Sequence, residues 1–142
     1  MRAAVRNDLE PSDLGDLLDL PLVAVLATYR ADGRVLLSPV WHRWRDGGFD
    51  VWTYPGDIKV RHLHRNPRAS ILVYEHTPPY RGIELRTEPT LLGGTIDDVR
   101  GIAVRYLGPE AGEAYLSRTP DDIVIIRLEP GELRIWDFSD QW

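Results

Sequence analysis

Two hairpin signals, Ala31-Asp32-Gly33 and Asp46-Gly47-Gly48, constrain this chain more than any other feature. Asp-Gly and Gly-Gly tolerate the positive φ of a tight turn, so each signal ties the run before it to the run after it as antiparallel neighbours. Leu22 to Tyr29, built from Val, Leu, Ala and Thr, reads as a buried strand, and Arg34 to Trp44 is its return. Phe49 to Tyr54 follows, with Phe49, Val51 and Thr53 alternating with Asp50, Trp52 and Tyr54, the two-residue period of a strand with two unlike faces. Ala69 to Tyr74, Gly82 to Thr87, Ile123 to Leu128 and Leu133 to Phe138 are strand-like too, and Pro130-Gly131-Glu132 turns between the last two. Pro89 and Gly93-Gly94 read as punctuation that closes the segment after Thr87.

Three places between these runs carry helical patterns. Glu10-Pro11-Ser12-Asp13 puts Pro and acids at a helix start, and Leu14, Leu17 and Leu18 follow at the spacing of a buried stripe. Asp57 is an N-cap for a helix whose Ile58, Val60 and Leu63 lie among basic residues and which Pro67 stops. Thr95 to Leu107 carries Ile96, Val99, Ala103 and Leu107 near a 3.6-residue period, and Pro109 opens a further helical stretch to about Ser117. About seven short strands, joined mostly by hairpins, predict a mainly β fold: an antiparallel barrel with a few peripheral helices rather than a βαβ arrangement. Residues 1–142 suit one domain.

Composition limits the function. Hydrophobic residues make up 43% and charged residues 27%, which excludes a disordered or collagen-like chain. The net charge of -5, from 17 basic and 22 acidic side chains, argues against nucleic acid as a partner, so any anion site is local. The run Pro21 to Ala27 is too short to cross a bilayer, and the mixed, charged Met1 to Glu10 does not resemble a secretion signal, so neither membrane attachment nor export is expected. With no cysteine there is no disulfide framework, thiol nucleophile or thiolate metal site, and a reducing cytoplasm is the expected setting.

The sharpest local feature is Ile58 to Arg68, which holds Lys59, Arg61, Arg65 and Arg68 and no acid. It opens a helix, whose free N–H groups and positive dipole end favour an anion, although Asp57 competes for the same donors. The same composition describes a solvated basic face. Trp41, Trp44, Trp52, Trp136 and Trp142, with Tyr54, Tyr74 and Tyr80, fit core packing or stacking on a flat ligand. Trp41 is the exception to core packing, because Ser38-Pro39-Val40 before it places Pro on a strand that reads as an edge. His42, His62, His64 and His76 lack metal-ligand spacing, and no Gly-x-Ser-x-Gly elbow, phosphate loop or dinucleotide fingerprint is present. No catalytic side chain stands out.

Taken together, Leu26-Ala27-Thr28, Asp32-Gly33-Arg34, Leu37-Ser38-Pro39-Val40-Trp41, Lys59-Val60-Arg61-His62-Leu63, Arg65-Asn66-Pro67-Arg68-Ala69-Ser70 and Trp136-Asp137-Phe138 resemble the pyridoxamine 5'-phosphate oxidase-like proteins. The resemblance spans about Leu22 to Phe138. It implies an antiparallel split β-barrel and a homodimer with a cofactor, FMN or the deazaflavin coenzyme F-420, at the interface. It further implies that the backbone of Ser38, Pro39, Val40 and Trp41 lies along the ring, and that Thr53 and Lys59 hold the phosphate. Arg61 or Arg65 would extend a basic groove, and residues near Trp136 would approach the partner's ligand. Many FMN oxidases of the family have Ser-Arg before the lysine, where this chain has Asp57-Ile58; the change removes a cation and adds an anion. Ile58 is similar to the small apolar residue of some deazaflavin-binding relatives. The activity implied is hydride transfer to a small molecule. The same barrel also serves a second reading, a non-catalytic protein that holds a flavin, deazaflavin or haem-like ligand. The Arg and His pattern by which true oxidases hold pyridoxamine phosphate is missing, since Arg134 is the only basic residue of the closing strand.

Overall fold

A computed structural model describes residues 9–129 and 131–139. Nine strands build two antiparallel sheets. The first holds β1 (Ala24–Tyr29), β2 (Val35–Val40), β5 (Ala69–Tyr74), β6 (Gly82–Thr87) and β9 (Glu132–Trp136), in the order β2-β1-β5-β6-β9. The second holds β3 (Arg43–Arg45), β4 (Gly48–Thr53), β7 (Thr90–Gly94) and β8 (Ile123–Leu128), in the order β3-β4-β8-β7. The sheets face one core without joining into a single closed ladder, which is the antiparallel split barrel that the sequence implies.

Alternation along the strands generates that core. Leu26, Ile71, Ile83 and Leu85 from the first sheet meet Phe49, Val51, Ile126 and Leu128 from the second, and each of these side chains is fully buried. The expected helix at Pro11 is instead two 3-10 turns, Pro11–Leu14 and Leu17–Asp19, broken where Gly15 takes φ 61°. Leu14, Leu17 and Leu18 still enter the core, so the apolar stripe is as expected and only the backbone differs. Arg81 holds this segment down: it grips Glu75 through Nε at 2.6 Å and Nη2 at 3.0 Å, and donates to the Leu14 carbonyl at 2.7 Å.

Two further expectations need correction. The single strand from Arg34 to Trp44 is two strands, because the chain leaves the first sheet after Val40 and enters the second at Arg43. Trp41 and His42 form that crossing. Thr90–Gly94 is a strand, not punctuation: a Cβ on Gly94 would lie 2.7 Å from Ile123 Cγ2, so glycine there permits close approach of β7 to β8. The turn residue Pro130 and Trp142 lie outside the described residues.

Helix α1 (Ile58–Arg65) follows β4, and α2 (Ile96–Leu107) and α3 (Pro109–Leu116) lie between β7 and β8. Val99 and Leu116 from these two helices pack on Ile123 and Ile125 of β8, forming a second apolar cluster that takes in Trp52 and Tyr115. Gly112 allows the helices to touch, for a Cβ there would lie 2.8 Å from Val104 Cγ2. The second sheet is thus covered on both faces. Among the described residues no helix is long and apolar enough to cross a membrane.

Candidate functional site

The crossing at Trp41 is fixed from the end of α2. The Tyr106 hydroxyl donates to the Leu22 carbonyl at 2.8 Å and accepts from the His42 N–H at 3.0 Å. Arg105 donates to the carbonyls of Leu20, at 3.0 Å, and of His42. Trp41 then stacks on Tyr106, with centroids 5.0 Å apart and planes 8° from parallel, and meets Tyr115 of α3 at 5.2 Å. Tyr115 also touches Trp52, which is edge-on to Tyr54. Burial, with Tyr54 nearby, raises the Tyr115 pKa, so its hydroxyl stays protonated.

Beside this aromatic cluster is a cavity of about 470 Å³, within the range of small-molecule sites. Pro39, Val40 and Trp41 form one side, Trp52, Thr53 and Tyr54 another, and Asp57 and Lys59 a polar end, with Val23 and Tyr115 completing the wall. Among the described residues β2 is the edge strand of its sheet and pairs only with β1, so part of its backbone faces away from the ladder, and Pro39 has no N–H to offer. A second cavity of about 450 Å³ shares Tyr54 and Tyr115 with the first and continues past Ala111, Ala114 and Arg118.

At the polar end the Asp57 carboxylate collects three donors. Oδ2 accepts from the Thr53 hydroxyl at 2.6 Å and from Lys59 Nζ at 2.9 Å, while Oδ1 accepts from the Lys59 N–H at 2.8 Å and caps α1. Burial acts to raise the Asp57 pKa, but the hydrogen bonds from Thr53 and from the N–H and ammonium of Lys59 more than reverse this, and the net shift is downward. Asp57 is therefore ionised, and Lys59 is an ion-paired cation.

Of the residues expected to hold a cofactor, the structure brings together Pro39, Val40, Trp41, Thr53 and Lys59. Ser38 belongs to β2 but pairs with Leu26, so its side chain shares the inner face and does not line the cavity. Arg61 and Arg65 are exposed on α1 and do not line it either. Trp136 lies on Gly82 at the far edge of the first sheet, with the Arg134 guanidinium 4.9 Å from its ring, and lines a different cavity. Val23, Trp52, Tyr54, Asp57 and Tyr115 complete the site without having been singled out as cofactor ligands. Tyr115 is 74 residues from Trp41 in sequence, and its i, i+3 pattern signals only a packed helix.

The donor set can be compared with what a flavin-type cofactor needs. The aromatic wall and the edge backbone suit a flat ring, and Thr53 suits a polyol chain. The phosphate end does not fit a phosphate monoester equally well, because its donors already serve Asp57. Among the described residues no group of three His, Asp or Glu side chains is placed to hold a metal ion.

Comparison with known proteins agrees with this architecture. No curated protein sequence matches the chain. Among solved structures, a conserved hypothetical protein of Mycobacterium tuberculosis superposes with TM-score 0.77 at 21% identity, covering 99% of this chain and 91% of that one. An F-420 reductase superposes with TM-score 0.69 at 26% identity, over 83% of this chain and 93% of its own. A haem-storage protein of Vibrio cholerae reaches TM-score 0.63 at 17% identity, over 91% of this chain and 97% of its own. The family model described as pyridoxamine 5'-phosphate oxidase matches residues 13–137, a span that includes both sheets, all three helices and every residue lining the Trp41 cavity, and the chain belongs to that family.

Proposed function

We propose that this chain is an oxidoreductase that binds a flavin-type cofactor, coenzyme F-420 or FMN, in the Trp41 cavity and passes hydride between it and a small molecule. The observation that carries this reading is the convergence of the end of β2, the end of β4 and the start of α1 on one aromatic-walled cavity. The F-420 reductase, at 26% identity, supports a redox role for the same architecture. When bound, the cofactor supplies the hydride chemistry; the chain binds, orients and dries it. Trp41, packed on Tyr106 and Tyr115, offers an aromatic surface to the ring. Tyr115, with its hydroxyl protonated, lines both cavities, which makes the second one a place for substrate beside the ring.

We further place two copies of the chain together, with the cofactor between them. Val23 and Pro39 line the cavity, and Leu37 and Val35 continue the exposed face of β2 beyond Pro39, so the cavity opens onto an exposed apolar face. Parallel titrations of F-420 and FMN, followed by tryptophan fluorescence, test the reading directly because Trp41 and Trp52 line the cavity. Saturable quenching at micromolar cofactor, with reoxidation of the bound reduced cofactor by quinone or enone acceptors, is expected. Absence of quenching by both cofactors defeats the assignment. Binding without turnover leaves a cofactor-holding protein.

A further inference from the structure

The polar end of the Trp41 cavity already contains an anion, the side chain of Asp57. Its carboxylate accepts from the Thr53 hydroxyl at 2.6 Å, from Lys59 Nζ at 2.9 Å and from the Lys59 N–H at 2.8 Å. These are the hydroxyl, ammonium and helix-terminal N–H that a terminal phosphate would use. Among the described residues Lys59 is the sole cation lining the cavity, and Arg61 and Arg65 on the same helix do not line it. Asp57 and Lys59 retain only 20% and 16% side-chain exposure, so water screens the site incompletely.

From this geometry we infer that Asp57 is a specificity-determining residue: an internal anion in the phosphate seat that selects against cofactors ending in a dianionic phosphate monoester. The inference rests on the cavity being the cofactor site. A monoester brings two negative charges to a seat where one ammonium already faces one carboxylate. To enter, it must push that carboxylate off its three donors and uncap α1, or lie beside it without a cation. A chain that is uncharged there, as in riboflavin, meets less repulsion and leaves the Asp57–Lys59 pair in place. The departure of Asp57-Ile58 from the Ser-Arg of FMN oxidases is thus a change of ligand class at this end of the site, while the ring end is retained.

Riboflavin and FMN are the probes, because they share ring and ribityl chain and differ only in the phosphate. Each is titrated into wild-type protein, Asp57→Ser and Asp57→Asn, with tryptophan and flavin fluorescence as readouts. Serine keeps a capping oxygen without the charge, and asparagine keeps the shape. In the wild type FMN is expected to bind no more tightly than riboflavin. In Asp57→Ser the FMN affinity rises about tenfold or more, riboflavin changes less than threefold, and the gain fades between low and high salt. A wild type that prefers FMN to riboflavin by tenfold overturns the inference, even if a variant fails to fold. So does an Asp57→Ser protein, folded by circular dichroism, whose FMN-to-riboflavin ratio stays at the wild-type value. If neither flavin binds any of the three folded proteins, the inference falls, and the F-420 titration decides whether the cavity assignment falls with it; that outcome differs from an unchanged ratio, which removes only the role of Asp57.

Discussion

His42 is the residue whose chemistry is least matched to its surroundings. It is fully buried against the ring of Phe49, 5.4 Å away edge-on, and neither ring nitrogen has a partner among the described residues. Burial first, and Arg105 second, lower its pKa from 6.5 to about 4. In the unfolded chain it takes up a proton near pH 6.5, which the folded protein refuses until about pH 4. Stability is therefore full above that upper value and falls through this window, by about 3 kcal/mol at most. Urea midpoints measured from pH 7 to pH 4 in wild type and His42→Leu check this: the variant is at least as stable at pH 5 and loses the dependence on pH in that range. Asp50 governs a lower window. Burial raises its pKa, but hydrogen bonds from Arg43, Arg127 and Arg45 outweigh burial and leave it below 3.8, so its contribution is present above that value and lost as pH falls through its folded pKa. Its carboxylate is 1% exposed and meets Arg43 at 2.9 Å, Arg45 at 2.7 Å and Arg127 at 3.1 Å. Asp50→Ala leaves these guanidinium groups without their shared anion, and denaturant unfolding at neutral pH is expected to show a loss of about 3–5 kcal/mol.

At the scale of elements, the contact between α2 and α3 sets the cavity wall. Gly112 sits where a Cβ would come within 3.0 Å of the Val104 Cα, which is backbone and does not give way as a side chain tip does. Gly112→Ala gains helix propensity of about 1 kcal/mol but forces α3 outward. We expect a net loss of about 1–2 kcal/mol in urea unfolding, and a changed near-ultraviolet circular dichroism signal as Tyr115 moves from Trp41 and Trp52. Riboflavin affinity should drop with it; an unaltered aromatic signal would mean that α3 does not hold the wall. Such interlocking explains what a sequence reader sees and misses. β5, β6 and β8 coincide with their apolar runs because both ends are marked by turn or helix residues. β7 is hidden because Gly94, which lets it approach β8, is half of a Gly-Gly pair that signals a turn. The break between β2 and β3 is hidden because Trp41 and His42 are as apolar and as strand-compatible as their neighbours; what separates them is the change of sheet, held by Arg105 and Tyr106 some 60 residues later. The site divides in the same way. Pro39 to Trp41, Thr53 and Lys59 lie close in sequence and are all implied by the family resemblance, whereas Val23 and Tyr115 come from segments that only tertiary packing brings to the cavity.

The whole molecule is lopsided, and this asymmetry bears on assembly. The four-stranded sheet has the barrel core on one face and α2 and α3 on the other, whereas among the described residues no helix covers the outer face of β2 in the five-stranded sheet. On that face Val35 and Leu37 are 47% and 61% exposed, and Pro39 follows them toward the cavity with Val23, 51% exposed, alongside. An exposed apolar strip on an edge strand is a liability for a monomer unless something covers it. Under the proposed dimer, a second copy on this strip would close the open side of the cavity and exclude water from a bound ring, at both sites at once if the pairing is twofold. Light scattering should then give about twice the chain mass of 16.2 kDa. Leu37→Asp places a charge on that strip without touching the core, since Leu37 faces away from it beside exposed neighbours. The variant is expected to run as a monomer with wild-type far-ultraviolet circular dichroism and to bind riboflavin at least tenfold more weakly. A dimer that survives Leu37→Asp with full affinity would assign the interface to another surface, and a monomeric wild type that still binds tightly would mean that one chain is sufficient to shield the ring.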